Sequence, residues 1–396
     1  MKKVYFDYAA TTPVDPRVKK AMEPYFSKKF GNTMSLHFFG QEAKAVLEKS
    51  REIAADLINA KPSEIIFTGS ATESNNLAIK GIALANKHKG KHIIISEIEH
   101  PCVLESANWL KLQGFEITKV GVDKYGQVSP ENVLKTIRED TILVSVIHAS
   151  NEIGTIQPIK KIGRICREKR VLFHTDASQS FGKIPIDVNK MDIDLLTASS
   201  HKMYGPKGAA LLFIREGLKI EPILHGGGQE SGLRSSTINV PAIVGFAKAC
   251  EISKKEMKKE GEQLIKLRNK LINQVLKIKN SHLNGPPSHK ASEGQSHLKN
   301  RLPNNANFRF DFIEGESLVI QLDLHGIAAS TGSACSSLKL EPSHVLLATG
   351  LRPEQAHGSL RISLGRWTTE KEISYLLKVL PKIIKQLRRI SPFGRT

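Results

Sequence analysis

The chain has 396 residues, of which 40% are hydrophobic and 24% charged, a balance that suits a globular protein of two or three domains. No apolar run reaches the roughly 18 residues that a membrane-spanning helix needs. The net charge of +19 comes from 58 Lys+Arg against 39 Asp+Glu, and such a field would attract nucleic acid, acidic proteins or anionic lipid without choosing among them. Much of the excess falls in residues 254–279 and in the tail from Lys378 to Arg395, which read as lysine-biased, solvated helix faces. No zinc-finger or RNA-recognition motif accompanies it, so direct nucleic-acid binding is not expected.

The N-terminus, Met1-Lys2-Lys3-Val4-Tyr5-Phe6-Asp7-Tyr8, enters an extended segment at once and is expected to leave no room for a leader peptide. That segment ends at the turn-prone Thr11-Thr12-Pro13. Helical spacing of apolar residues predicts a helix over Gln41–Ala60. Ile65-Ile66-Phe67-Thr68 reads as a strand, followed by Gly69-Ser70-Ala71-Thr72-Glu73-Ser74-Asn75-Asn76 and a helix reaching Lys87. Ser70 and Glu73 have capping-box spacing, and a capped helix start offers free N–H groups to an anion such as phosphate. It is not a Walker loop, because no Gly-Lys-Ser/Thr follows.

Strand and helix go on alternating. Ile93-Ile94-Ile95 leads to His100, and a helix is expected over Val103–Gln113. The apolar run Thr141–Ile147 delivers His148 and Asn151. A helix over Ile159–Lys169 precedes the strand Val171–His174 and then Asp176. The run Asp192–Ala198 ends at Ser199-Ser200-His201-Lys202-Met203-Tyr204-Gly205-Pro206-Lys207-Gly208, before a second buried run, Ala209–Ile214. This pattern predicts a mostly parallel, doubly wound sheet with ligands at the strands' carboxyl ends. His100, Asn151, Asp176 and Lys202 each follow a strand end, so they are candidates for one pocket. An isolated lysine in a turn is ordinarily a surface residue; a desolvated one can act as an amine nucleophile.

Beyond the lysine-rich helix of residues 251–279 the character changes. Asn284–Asn305 is a polar loop or insertion. Strands are expected over Ala306–Phe312 and Leu360–Leu364, with Thr369 and Glu372 capping a last helix that Pro381 should kink. Cys102, Cys166, Cys250 and Cys335 are scattered, with neither metal-ligand spacing nor a disulfide pattern, so no metal is expected and a reducing, cytoplasmic setting fits.

Taken together, the motifs Asp7-Tyr8-Ala9-Ala10-Thr11-Thr12-Pro13, Ala71-Thr72-Glu73-Ser74, Glu99-His100, Ser150-Asn151-Glu152-Ile153-Gly154, Asp176-Ala177-Ser178-Gln179-Ser180, Ser200-His201-Lys202, His225-Gly226-Gly227-Gly228-Gln229-Glu230, Arg234-Ser235-Ser236-Thr237 and Ser330-Thr331-Gly332-Ser333-Ala334-Cys335-Ser336-Ser337 carry a resemblance. The chain resembles the cysteine desulfurases of the NifS/IscS type, class V aminotransferase relatives among the fold-type I pyridoxal phosphate enzymes, almost end to end. The resemblance implies an α/β fold: a large cofactor-binding domain with a seven-stranded-type sheet over 15–260, and a smaller α+β domain formed by 1–14 and 261–396 that carries a mobile cysteine loop.

It also implies residue roles. Lys202 would anchor pyridoxal 5'-phosphate and then move protons. Asp176 would pair with the pyridine nitrogen, Gln179 with the ring hydroxyl, and His100 would stack on the ring and serve as acid or base. Asn151 would orient cofactor and substrate. Ala71, Thr72, Ser199, Ser200 and His201 belong to the cofactor site, several of them at the phosphate. Thr237 would reach the phosphate of a partner subunit, which implies a homodimer. Arg361 would clamp the carboxylate of L-cysteine, a group that a bidentate guanidinium suits. Cys335 would attack the substrate sulfur, giving alanine and a persulfide passed on to a sulfur acceptor such as an iron–sulfur scaffold, or to thio-cofactor or tRNA thiolation. Cys102 receives no role. Gly69-Ser70 stands where this family usually has Ser-Gly. Selenocysteine lyase or a related class V aminotransferase is the near alternative; a basic nucleic-acid or scaffold-binding protein is the alternative of a different class.

Overall fold

The structure is a computed structural model that describes residues 3–287, 300–332 and 341–391. Cys335, and most of the polar insertion expected at 286–300, lie outside the described residues. The strands are β1 (Val4–Tyr5), β2 (Ile65–Thr68), β3 (His92–Ser96), β4 (Glu116–Val120), β5 (Thr141–Ser145), β6 (Leu172–Asp176), β7 (Leu195–Ser199), β8 (Ala210–Ile214), β9 (Ser281–Asn284), β10 (Asn305–Phe310), β11 (Ile327–Ala328) and β12 (Ser359–Ser363).

Seven strands form the main sheet in the order β2-β8-β7-β6-β5-β3-β4. Neighbours from β7 through β4 pair in parallel, and β8 runs antiparallel to both β7 and β2. All residues of β3, β5, β7 and β8 are buried, as expected of strands covered by helices on both faces. Only β4, the charged edge strand, shows exposure along much of its length. One face packs Phe67, Phe173, Phe181, Phe213 and Phe246 into an apolar core, and the other packs Ile79, Ile93, Ile95, Leu110 and Leu212. Each fully buried side chain of this kind contributes about 1.5–3 kcal/mol.

A second core gathers Val4, Phe6, Leu271, Phe308, Phe310, Leu360, Leu376 and Ile383 around an antiparallel sheet of order β12-β10-β9 and the parallel pair β1-β11. The Val240–Val275 helix joins the two cores: side chains through Ile252 pack in the first and those from Leu264 in the second. It is unbroken at 260–261, where the domain division was expected. The last helix, Glu370–Ile390, is capped by Thr369 and Glu372 and continues through Pro381. Its buried stripe of Ile373, Leu376, Leu380, Ile383, Ile384 and Leu387 offsets the hydrogen bond that proline removes. Among the described residues no helix is long and apolar enough to cross a membrane.

Candidate active site

The strand order reverses between β3 and β5, because β3 leads to β4 on one side and β5 to β6 on the other. A crevice at the carboxyl ends of the strands is the natural outcome of that reversal. A cavity of about 900 Å³ lies there, and Ala71, Thr72, His100, Asn151, Asp176, Gln179, Ser199, His201, Lys202 and Arg361 all border it. Ser200 does not: its side chain is buried and turned toward Gly205, with Oγ lacking a partner among the described residues. Thr237 is exposed on the segment before the long helix and does not border the cavity of its own chain.

Lys202 follows β7 on a single tight turn, Ser200–Lys202. Its Nζ donates to the carbonyls of Ala9 at 2.8 Å and Ala10 at 2.6 Å. The N-terminal turn is fixed there by Thr12, whose N and Oγ1 both donate to the carbonyl of His201, at 3.0 and 2.9 Å. Thr11 Oγ1 lies 3.0 Å from His201 Nδ1. Burial and the charges of Lys202, Lys207 and Lys183 push His201 down to about 4, so its ring is neutral near pH 7.

Asp176 ends β6 and is buried. Its Oδ1 accepts from Ser178 N at 2.9 Å and Ser178 Oγ at 2.6 Å, and its Oδ2 from Asn75 Nδ2 at 2.7 Å. Gln179 Nε2 donates to the Ala9 carbonyl at 2.9 Å, and Lys183 Nζ reaches Gln179 Oε1 at 3.4 Å. Burial and Lys202 push the Lys183 ammonium down to about 7.

The helical start at Ala71 is capped by Ser70, whose Oγ accepts from Glu73 N at 3.1 Å. The reciprocal bond differs from the expected box: Glu73 Oε2 accepts from Gly69 N at 2.9 Å, while Glu73 Oε1 pairs with Arg234 Nε at 2.6 Å. The run continues through a π-helical turn, Leu77–Gly81, to Asn86. Such turns recur near functional sites.

Asn151 sits on a loop whose carbonyls are held by the second sheet. Arg361 Nη1 donates to Asn151 O at 3.2 Å, Asn305 Nδ2 and Asn307 Nδ2 each to Glu152 O at 3.1 Å, and Arg301 Nη1 to Ile153 O at 2.9 Å. Arg361 is buried; its Nη2 pairs with Asp7 Oδ1 at 2.8 Å. Its Nε lacks a partner among the described residues, which leaves donor capacity for an anion.

Two buried carboxyls lie close by: Glu152 borders the cavity, and Glu99 precedes His100 in the chain. Burial pushes Glu99 up to about 8 and Glu152 up to about 7. Glu99 Oε1 accepts from Ser96 Oγ at 2.7 Å and Ile147 N at 2.6 Å; Glu152 accepts from Ser343 Oγ.

The sequence reading missed Asn75, the Ala9 and Ala10 carbonyls, and Lys183. Asn75 lies five residues past the expected helix cap, Ser70, and reaches Asp176 at the end of β6, a proximity no local pattern announces. The carbonyls leave no side-chain signature at all.

The class-V aminotransferase family model matches residues 4–376. The chain belongs to that family. This class-V member is 53% identical over 391 residues to cysteine desulfurase IscS 1 of Archaeoglobus fulgidus, covering 99% of each chain. Its fold matches a solved NifS-like protein with a TM-score of 0.90 and 40% identity, over 98% of this chain and 100% of the other. It also matches SspA in complex with cysteine, with a TM-score of 0.79 and 38% identity over 93% and 100% of the two chains.

The donor set fits pyridoxal 5'-phosphate, the cofactor of this family. A primary amine, a buried carboxylate, a helical start with hydroxyls and a guanidinium whose Nε has no partner among the described residues border one cavity.

Proposed function

We propose that the chain is a pyridoxal phosphate-dependent cysteine desulfurase, converting L-cysteine to L-alanine and leaving the sulfur as a persulfide on Cys335. The observation that carries this reading is the convergence of Lys202, Asp176 and Arg361 on one cavity, in a chain 53% identical to a cysteine desulfurase over nearly its whole length. In the net reaction the substrate's C–S bond breaks and an S–S bond to Cys335 forms. The thiol proton of Cys335 balances the hydrogen gained at the substrate's Cβ, so no outside oxidant or reductant is needed.

When bound, pyridoxal phosphate supplies an electrophilic aldehyde carbon and a ring that accepts the electron pair left at the substrate's Cα. Lys202 would hold it covalently, and once released its Nζ is close enough to the Ala9 and Ala10 carbonyls to rest there as an ammonium. Asp176 would keep a proton on the ring nitrogen; Ser178 and Asn75 hold the carboxylate in place for that task. Gln179, Ala71, Thr72, Ser199 and His201 would hold the hydroxyl and phosphate. Arg361, fixed by Asp7, would orient the substrate's carboxylate. Thiolate is the nucleophilic form of Cys335.

The working unit in this reading is a homodimer. Phe26, Phe30, Met34, Leu36 and Phe38 are 66%, 64%, 57%, 90% and 71% exposed, an apolar run that water does not favour and that a second copy would cover. Thr237, exposed on its own chain, would complete the partner's phosphate site. Downstream, the persulfide would pass to an acceptor such as an iron–sulfur scaffold or a thiolation relay, in the cytoplasm.

The test is alanine release from L-cysteine by protein loaded with pyridoxal phosphate, with Lys202→Ala alongside. The proposal expects alanine and sulfide in equal amounts under a reducing thiol, and a loss of at least about a hundredfold in the variant. Equal rates in the two proteins would contradict it, and a strong preference for selenocysteine would favour the lyase reading.

A further inference from the structure

His100 caps the Pro101–Leu112 helix, and the cap geometry fixes more than the helix start. The backbone N–H of Cys102 donates to His100 Nδ1, at an N···N distance of 3.2 Å. Two N–H groups cannot point at each other, so Nδ1 carries a lone pair. The Cys102 Sγ lies 3.0 Å from the same nitrogen.

Asn75 decides which way the thiol proton points. Its Nδ2 lies 3.1 Å from Cys102 Sγ and 2.7 Å from Asp176 Oδ2, so one amide group serves both. With a donor against the sulfur lone pair, the S–H is left for Nδ1. Cys102 is a thiol here, not a thiolate, because burial and the charge of Asp176 push it up to about 12.

We propose that Cys102 is a positioning residue: its thiol and its backbone N–H together fill Nδ1 of His100 and hold the neutral ring with its proton on Nε2. Nε2 has no hydrogen-bond partner among the described residues, and the ring borders the cavity. His100 is then a hydrogen-bond donor toward the cavity and cannot take a proton there. Proton abstraction falls to Lys202, and an unbroken line of contacts ties the ring partner Asp176 through Asn75 and Cys102 to His100. Protonating Nδ1 would set a new N–H against two existing donors.

Besides Cys102, the charged and titratable groups facing His100 are Asp176, Lys202 and His344. Asp176 favours the charged ring, Lys202 and His344 oppose it, and burial opposes it most. The inference rests on the pyridoxal phosphate reading for its catalytic meaning, but its readout does not need turnover.

The experiment is nitrogen and carbon NMR of histidine-labelled full-length protein loaded with pyridoxal phosphate, with His100 assigned by His100→Gln. The wild type should show a lone-pair signal at Nδ1 and a protonated Nε2. Cys102→Ala should raise the midpoint for His100 protonation by about half a unit or more, a roughly threefold change, because one donor to the neutral ring is gone. Cys102→Ser, which restores a donor, should return the midpoint to the wild-type value, and the acid limb of kcat/KM should follow the same order. A proton on Nδ1 in the wild type would overturn the proposal. So would a Cys102→Ala midpoint equal to the wild type. A protein inactive on cysteine that still showed these shifts would refute the function and leave the positioning role standing.

Discussion

Lys202 and Gln179, from two different strand ends, donate to one oxygen, the carbonyl of Ala9, at 2.8 and 2.9 Å. The N-terminal turn is therefore a wall of the site. Gln179 is held from its other end by Lys183, so its amide orientation is fixed. Replacing it by leucine removes one hydrogen bond to the turn and the one expected to the cofactor. We expect cofactor affinity to fall about five- to tenfold, measured by competition for pyridoxal phosphate between wild type and Gln179→Leu.

Asp176 gives a sharper test. In Asp176→Asn the Ser178 donors can still be accepted by the remaining oxygen, but the new amide nitrogen would face Asn75 Nδ2, where an acceptor stood before. The negative charge that would hold a proton on the ring nitrogen is also lost. Turnover should fall about a hundredfold or more, with the variant still binding cofactor by absorbance.

For Arg361 the geometry separates charge from shape. The side chain is buried, paired with Asp7 and bonded to the Asn151 carbonyl. Arg361→Lys keeps a cation but loses the fork that suits a carboxylate. The KM for cysteine should rise about tenfold or more, while Arg361→Ala should also lower stability by about 3–5 kcal/mol by stranding Asp7. Steady-state kinetics and denaturant titration check the two.

The pH dependence of stability follows from Glu99. Its carboxyl rises from an ordinary 4.5 to about 8 in the folded protein. Between those values the unfolded chain gives up a proton that the folded one keeps, so the unfolded state binds fewer protons and stability falls as pH rises. The contribution is whole below about 4.5 and is lost through about 8. Glu99→Gln keeps an oxygen for Ser96 and Ile147 and cannot ionise. Its denaturation midpoint should fall less than that of the wild type between pH 5.5 and pH 8.

The strand-end residues His100, Asn151, Asp176 and Lys202 were legible because a buried parallel strand has a strong apolar signature and its carboxyl end is where ligands gather. Their neighbours were not. Asn75 reaches Asp176 across 101 positions, and Cys102 acts through a cap whose partner is a ring nitrogen. The edge strand β4 was invisible because its charged, half-exposed residues lack an apolar run, and β9 because its four residues gain their place only by pairing with β10. The direction of β8 is likewise set by pairing with β7 and β2, not by its own apolar sequence.

The most direct test of sulfur transfer is mass spectrometry of the pyridoxal phosphate-loaded protein after exposure to L-cysteine, with alanine counted in the same sample. The account predicts one added sulfur atom on the peptide containing Cys335, alanine in matching amount, and neither in Lys202→Ala. Alanine formed with the sulfur on Cys102, or with no sulfur on Cys335, would contradict it.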